Sequence, residues 1–187
     1  MKGEPIEKDR EILYAIPVYK EGQGDVSKVL YEGGVESFQP FHIRTLIRKL
    51  AYENYIDIVS LKRKMQEQLG RKNIIPYPFH KRLILIPVKI RKPRLKKDGA
   101  IGYINYIWVE KIQEEGKHCI IVFKDQNTLK TLQHYQTVKS KMLHGAWLKD
   151  CFLPQLQYPV QKNKQPSLCR EELQSIIGQL MEMYKEL

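Results

Sequence analysis

Hydrophobic positions along this chain change period several times, and each change predicts an element. Residues 12–19 (ILYAIPVY) and 26–31 are dense in Ile, Val, Leu and Tyr, which favours strands, and the intervening KEGQGD supplies two glycines for a turn. Gly33-Gly34 and a short strand over 35–38 extend this into an antiparallel meander. From Pro40 the period lengthens. Ile43, Leu46, Ile47, Leu50 and Ala51 fall on one helical stripe, predicting a helix over 40–52 with the proline in its first turn. Arg44 and Arg48 stand one turn apart on the other side. A turn at 53–56 leads to a second helix over 57–69, with Asp57 as its N-cap and Gly70 as its stop. Its inner side carries Ile58, Leu61, Met65 and Leu69, and its outer side Lys62, Arg63 and Lys64.

Arg71-Lys72 and a loop with Pro76 and Pro78 follow, and then alternation of period two returns. Residues 83–90 are apolar on both alternations, as in a strand covered on both faces. A long strand over 101–112 comes next, then 118–123 and 128–132, joined by short polar turns that favour antiparallel pairing. A helix over 134–149 is expected to bury Tyr135, Val138, Met142 and either Leu143 or Ala146, with Trp147 near its end. Beyond it lie a proline-containing linker and a last helix capped by Ser167, whose Leu173, Ile176, Ile177, Leu180, Tyr184 and Leu187 make one apolar face. That face must be buried on its own domain or in a dimer. The pattern as a whole predicts an α+β fold: a single domain over 1–153 with antiparallel β-strands and an early basic helical pair. Residues 154–187 add the linker and amphipathic helix, so that two helices end the chain.

Charge adds what periodicity cannot. The chain carries a net charge of +11, and its placement is uneven. Residues 42–97 hold sixteen Lys/Arg against three acids, while the remainder has sixteen basic and eighteen acidic residues. Within that block, Lys89, Arg91, Lys92, Arg94, Lys96 and Lys97 crowd the connection between two strands before the first acid, Asp98. Pro93 and Gly99 stop either strand from running through it. Like charges gathered on a projecting arm repel unless an anion lies among them, and such a concentration is the footprint of a polyanion binder. Solvated surface is the plain alternative for each cation.

Candidate chemistry narrows the classes. Cys119, Cys151 and Cys169 form no CxxC or Cys/His cluster, so neither a zinc site nor a disulfide framework is expected. The five histidines show no metal spacing, no glycine loop precedes a helix, and the basic block lacks the clustered carboxylates of a nuclease. Neither catalysis, nor a cofactor, nor a metal is expected. No apolar run approaches the ~18 residues of a membrane span, and the chain reads as cytoplasmic. Nucleic acid is the expected partner. Arg91, Lys92, Arg94 and the other arm cations (Lys89, Lys96, Lys97) would make the primary contact, extended along phosphates by Lys62, Arg63, Lys64, Arg71 and Lys72. Lysines supply affinity that falls with salt, whereas arginines on a thin arm suit the narrow minor groove of A·T-rich duplex. A helix-turn-helix role for the helical pair, a single-stranded RNA factor, and a basic module for an acidic protein partner are the alternatives.

The order of segments resembles the competence transcription factor (ComK) family over about residues 12–184. The likeness rests on collinearity. It runs from a strand ending in proline (ILYAIPVY) and a second strand (VSKVLYE) to the Arg63-Lys64 pair, a strand of the form I-x-x-P (ILIP) and the proline-containing arm. IGYINYIWV, a helix ending in Ala146-Trp147-Leu148, and the proline-containing tail with its final helix complete it. The resemblance implies a bacterial transcriptional activator of DNA-uptake genes, associated with the nucleoid. It would bind paired A·T-rich boxes through the minor groove as a homodimer or higher homo-oligomer. RNA polymerase and a proteolytic adaptor would be its further partners.

Overall fold

Six strands pair into one antiparallel sheet. They are β1 (Ile12–Lys20), β2 (Gly24–Tyr31), β3 (Glu36–Gln39), β4 (Tyr77–His80), β5 (Leu83–Lys89) and β6 (Ile101–Asn105), in the spatial order β3-β2-β1-β6-β5-β4. Three more, β7 (Val109–Glu115), β8 (His118–Phe123) and β9 (Thr128–Thr131), form a second antiparallel sheet. Among the described residues the α-helices are α1 (Ile43–Glu53), α2 (Ile58–Leu69) and α3 (Tyr135–Trp147), the last running on into a π turn over Leu148–Phe152. This computed structural model describes residues 10–154, all within one compact unit, and the architecture is α+β. The expected linker and last helix lie outside the described residues.

The register explains why the central strands are apolar on both alternations. Tyr14, Ile104 and Ile86 share one row across β1, β6 and β5, and the Tyr14 ring meets Phe123 of β8 with centroids 5.6 Å apart. Ala15, Tyr103 and Pro87 form the next row, on the opposite face by the pleat. There Tyr103 packs on Tyr77 at 5.7 Å, and Tyr77 lies in the field of Arg44 and Arg48 of α1. The small sheet therefore covers one face and the helical pair the other. Leu83 to Val88 are all buried between these layers. Burial pushes the Tyr14 phenol up to about 12 and raises the Tyr103 phenol as well. At Gly102 a Cβ would come within 2.7 Å of Ile16 and 2.8 Å of Ile90, so only glycine lets β6 lie this close.

Four expectations need correction. α1 begins at Ile43, not Pro40, because Gln39 still pairs with Ser27 in the sheet and the Ser27 hydroxyl donates to the Phe41 carbonyl at 2.7 Å. The loop ends at Pro76, and Tyr77–His80 is a strand: β4 is outermost, where Pro78 costs no ladder bond that matters. The strand over 101–112 is two strands in different sheets, separated by a 3-10 turn over Tyr106–Trp108. Asn105 makes the break. Its side-chain oxygen accepts from the N–H groups of Ile84 and Ile107, and its amide donates to the carbonyls of Ile12 and Arg82, so a fully buried polar group is fully satisfied. The fourth concerns α3, whose fully buried positions are Val138, Lys141 and Gly145, with Tyr135, Met142, Leu143, Ala146 and Trp147 only half-buried. Gly145 is there because a Cβ would lie 2.4 Å from the Tyr106 ring.

Candidate nucleic-acid interface

The basic arm is the connection from β5 to β6, and it is folded rather than free. Its base is closed by Ile90 N–H donating to the Ala100 carbonyl at 3.0 Å, and its tip by Asp98 N–H donating to Leu95 at 3.0 Å. Arg91, expected to be a primary contact, is instead turned inward. Its guanidinium pairs with the Asp25 carboxylate, its Nε donates to the Gly99 carbonyl at 2.7 Å, and it stacks 3.8 Å above the Tyr19 ring. The Arg91 side chain is 13% exposed and that of Asp25 5%. Asp25 also accepts from Gly99 N–H at 2.8 Å and lies 3.2 Å from His42 Nδ1. A buried carboxylate at the start of β2 thus claims the first arginine of the arm, and Arg91 is not an exposed contact.

The other arm cations remain outside. Lys89, Lys92, Arg94, Lys96 and Lys97 are exposed, and none forms an ion pair with a carboxylate among the described residues. Arg94 lies 4.3 Å from the Tyr19 ring, which therefore sits against two guanidiniums. The Tyr19 hydroxyl receives the Arg94 N–H at 2.7 Å and donates to Asp98. That donation, with the Leu95 N–H at 2.8 Å, holds the Asp98 carboxyl below the usual range. Lys89 is tethered through its backbone, which donates to Gln133 Oε1 at 2.9 Å.

The helical pair presents the rest of the basic block. Asp57 caps α2 as expected, accepting from Val59 N–H at 2.9 Å and the Ser60 hydroxyl at 2.6 Å, with Gly70 left-handed at its end. The Ser60 hydroxyl leads in holding the Asp57 carboxyl low. Lys62, Arg63, Lys64, Arg71 and Lys72 are all exposed. Lys64 reaches over the Phe152 ring at 5.1 Å, and Arg71 stands beside Lys141 and His144 of α3.

Periodicity did not foresee the aromatic tip. At the turn from α1 to α2, Tyr52 is 82% and Tyr55 98% exposed, with Val59 beside them at 64%. Tyr55 occupies the left-handed region at φ 56°, where glycine is the easy residue. Two tyrosines in a polar turn were the only signal in the sequence. α1 joins this tip to the arm: Ile43 at its start lies beside the arm's Gly99, and Arg44, Arg48 and Tyr52 follow at four-residue steps, all exposed. An eleven-residue helix spans about 16 Å. Cations and a ring therefore share one exposed side of α1, whose start meets the base of the arm. Among the described residues, no helix is long and apolar enough to cross a membrane. No protein-family model, curated protein or solved structure matches the chain.

Proposed function

We propose that this chain binds nucleic acid, in the first place A·T-rich double-stranded DNA, and acts as a transcriptional activator of the competence type. One observation carries the reading: exposed cations on the arm and on α1, whose start meets the arm's base, accompany the exposed Tyr52 and Tyr55. Solvated lysines alone would need no companion rings. Phosphates neutralised by such cations release counterions, and a tyrosine beside them can wedge against or stack on a base. Arg94, braced on Tyr19, is the arginine best placed to enter a groove. The collinear resemblance supplies the finer claim of paired boxes, homodimers, RNA polymerase contact and adaptor control.

The test is a gel-shift competition among A·T-rich duplex, G·C-rich duplex and single-stranded RNA. The A·T-rich duplex should win, and Arg94→Ala should narrow its margin over G·C-rich duplex by about tenfold, the scale of one specific contact. Equal loss on both duplexes would make Arg94 a phosphate contact only. A second reading has its own support. Rings as exposed as those of Tyr52 and Tyr55 suit stacking on unpaired bases, worth about 1–3 kcal/mol each. Preference for the single strand in the same competition, lost in Tyr55→Ala, would establish it instead.

A further inference from the structure

A second cluster of basic side chains stands where α3 meets the α2–β4 connection. Lys141 of α3 is only 8% exposed, yet it has no carboxylate partner among the described residues. Its ammonium donates to the Pro87 carbonyl at 2.6 Å and to Gln133 Oε1 at 3.1 Å, both neutral acceptors. The third N–H has no acceptor among the described residues. Beside it, Arg71 from the α2–β4 connection and His144 from the next turn of α3 line the same small cavity, walled by Ile74, Pro76 and Ile86. Three basic side chains from two elements face one space. Burial, and then Arg71, push the Lys141 amine down to about 8; burial, Arg71 and Lys141 push the His144 imidazole down to about 4.

We infer that Arg71, Lys141 and His144 form a seat for one oxygen of a phosphate group. The cavity measures about 10 Å³, room for one water-sized atom, so the ligand inserts an oxygen while its body stays outside. A tetrahedral phosphate can point one oxygen at the Lys141 ammonium and still offer others to the exposed Arg71 guanidinium, whereas a carboxylate has only two oxygens to share. Anion entry replaces mutual repulsion by attraction where water is scarce. The phosphate can belong to a nucleic-acid backbone or to a free phosphate or phosphate monoester. The seat stands on its own geometry, separately from the nucleic-acid reading.

Thermal unfolding near pH 7, in sodium phosphate against sodium chloride at matched ionic strength, tests it. Phosphate should raise the midpoint saturably, by roughly 2–4 °C, and chloride should not. Arg71→Gln changes an exposed side chain and should abolish the rise. Lys141→Met should also abolish it, while raising the midpoint in chloride because a buried, unpaired charge is gone. Equal midpoints in the two salts, or an undiminished rise in Arg71→Gln, would overturn the inference. Random-sequence duplex then separates the sources. If Arg71→Gln weakens duplex binding several-fold and lowers the salt slope by about one, the seat takes a backbone phosphate. If duplex binding is unchanged while the phosphate response is lost, it takes a free phosphate or monoester. A phosphate response with no duplex binding leaves the seat standing and removes the proposed function; duplex binding with no phosphate response does the reverse.

Discussion

Arg91 and Lys141 are both cations turned inward, and they pose opposite problems. Arg91 has a carboxylate: removing the guanidinium would strand Asp25, 5% exposed, against Gly99 N–H and His42 alone. Arg91→Ala is therefore expected to lower unfolding free energy by about 3–5 kcal/mol in a denaturant titration, as breaking a buried pair does. Lys141 has no carboxylate, and its neighbour His144 is held neutral well into the acid range. For His144 the folded value, about 4, lies below the ordinary 6.5, so the unfolded chain takes up the extra proton between those values. Stability should fall as pH drops from about 6.5 toward 4, and His144→Gln should remove part of that loss. Midpoints measured at pH 7 and pH 4.5 in both proteins would check it; parallel losses would mean that His144 does not carry this limb.

The α1–α2 turn sets conformation against exposure. Tyr55 holds a left-handed backbone that glycine adopts without strain, while its ring touches almost nothing. Tyr55→Gly should stabilise the fold by roughly 0.5–1 kcal/mol and weaken nucleic-acid binding several-fold. Stabilisation with unchanged affinity would reduce the tyrosine to an accident of the turn. The helices around it were legible in advance: the stripe Ile43, Leu46, Ile47, Leu50 and Ala51 is buried in full, and Asp57 and Gly70 bound α2 as their chemistry requires. Local rules decided those elements. Failures came where a distant partner decided. Asn105 looked like one polar position in a strand, yet four bonds to Ile12, Arg82, Ile84 and Ile107 end β6 there. Pro78 read as loop because nothing local says that a strand is outermost. Asp25 looked like a turn residue, and its pairing with Arg91, 66 positions away, has no trace in spacing.

For the whole molecule, layering decides which charges face solvent. The helical pair covers one face of the larger sheet, so the cations of α1 and α2 lie on an outer surface, and the arm emerges at the start of α1. Duplex affinity should fall linearly on a logarithmic salt scale with a slope of about −4 to −7. A slope near zero would exclude a phosphate-dominated interface and favour an acidic protein partner.

Tyr19 and Asp25 do one thing more. By ordering the β5–β6 connection in advance, they leave it nothing to fold when a ligand arrives. Calorimetry across temperatures should then show the modest heat-capacity change of preformed surfaces meeting, without the excess that accompanies coupled folding of a loose segment. Tyr19→Phe, which removes the hydroxyl that holds Arg94 and Asp98 of the connection to β1, should restore that excess and slow recognition.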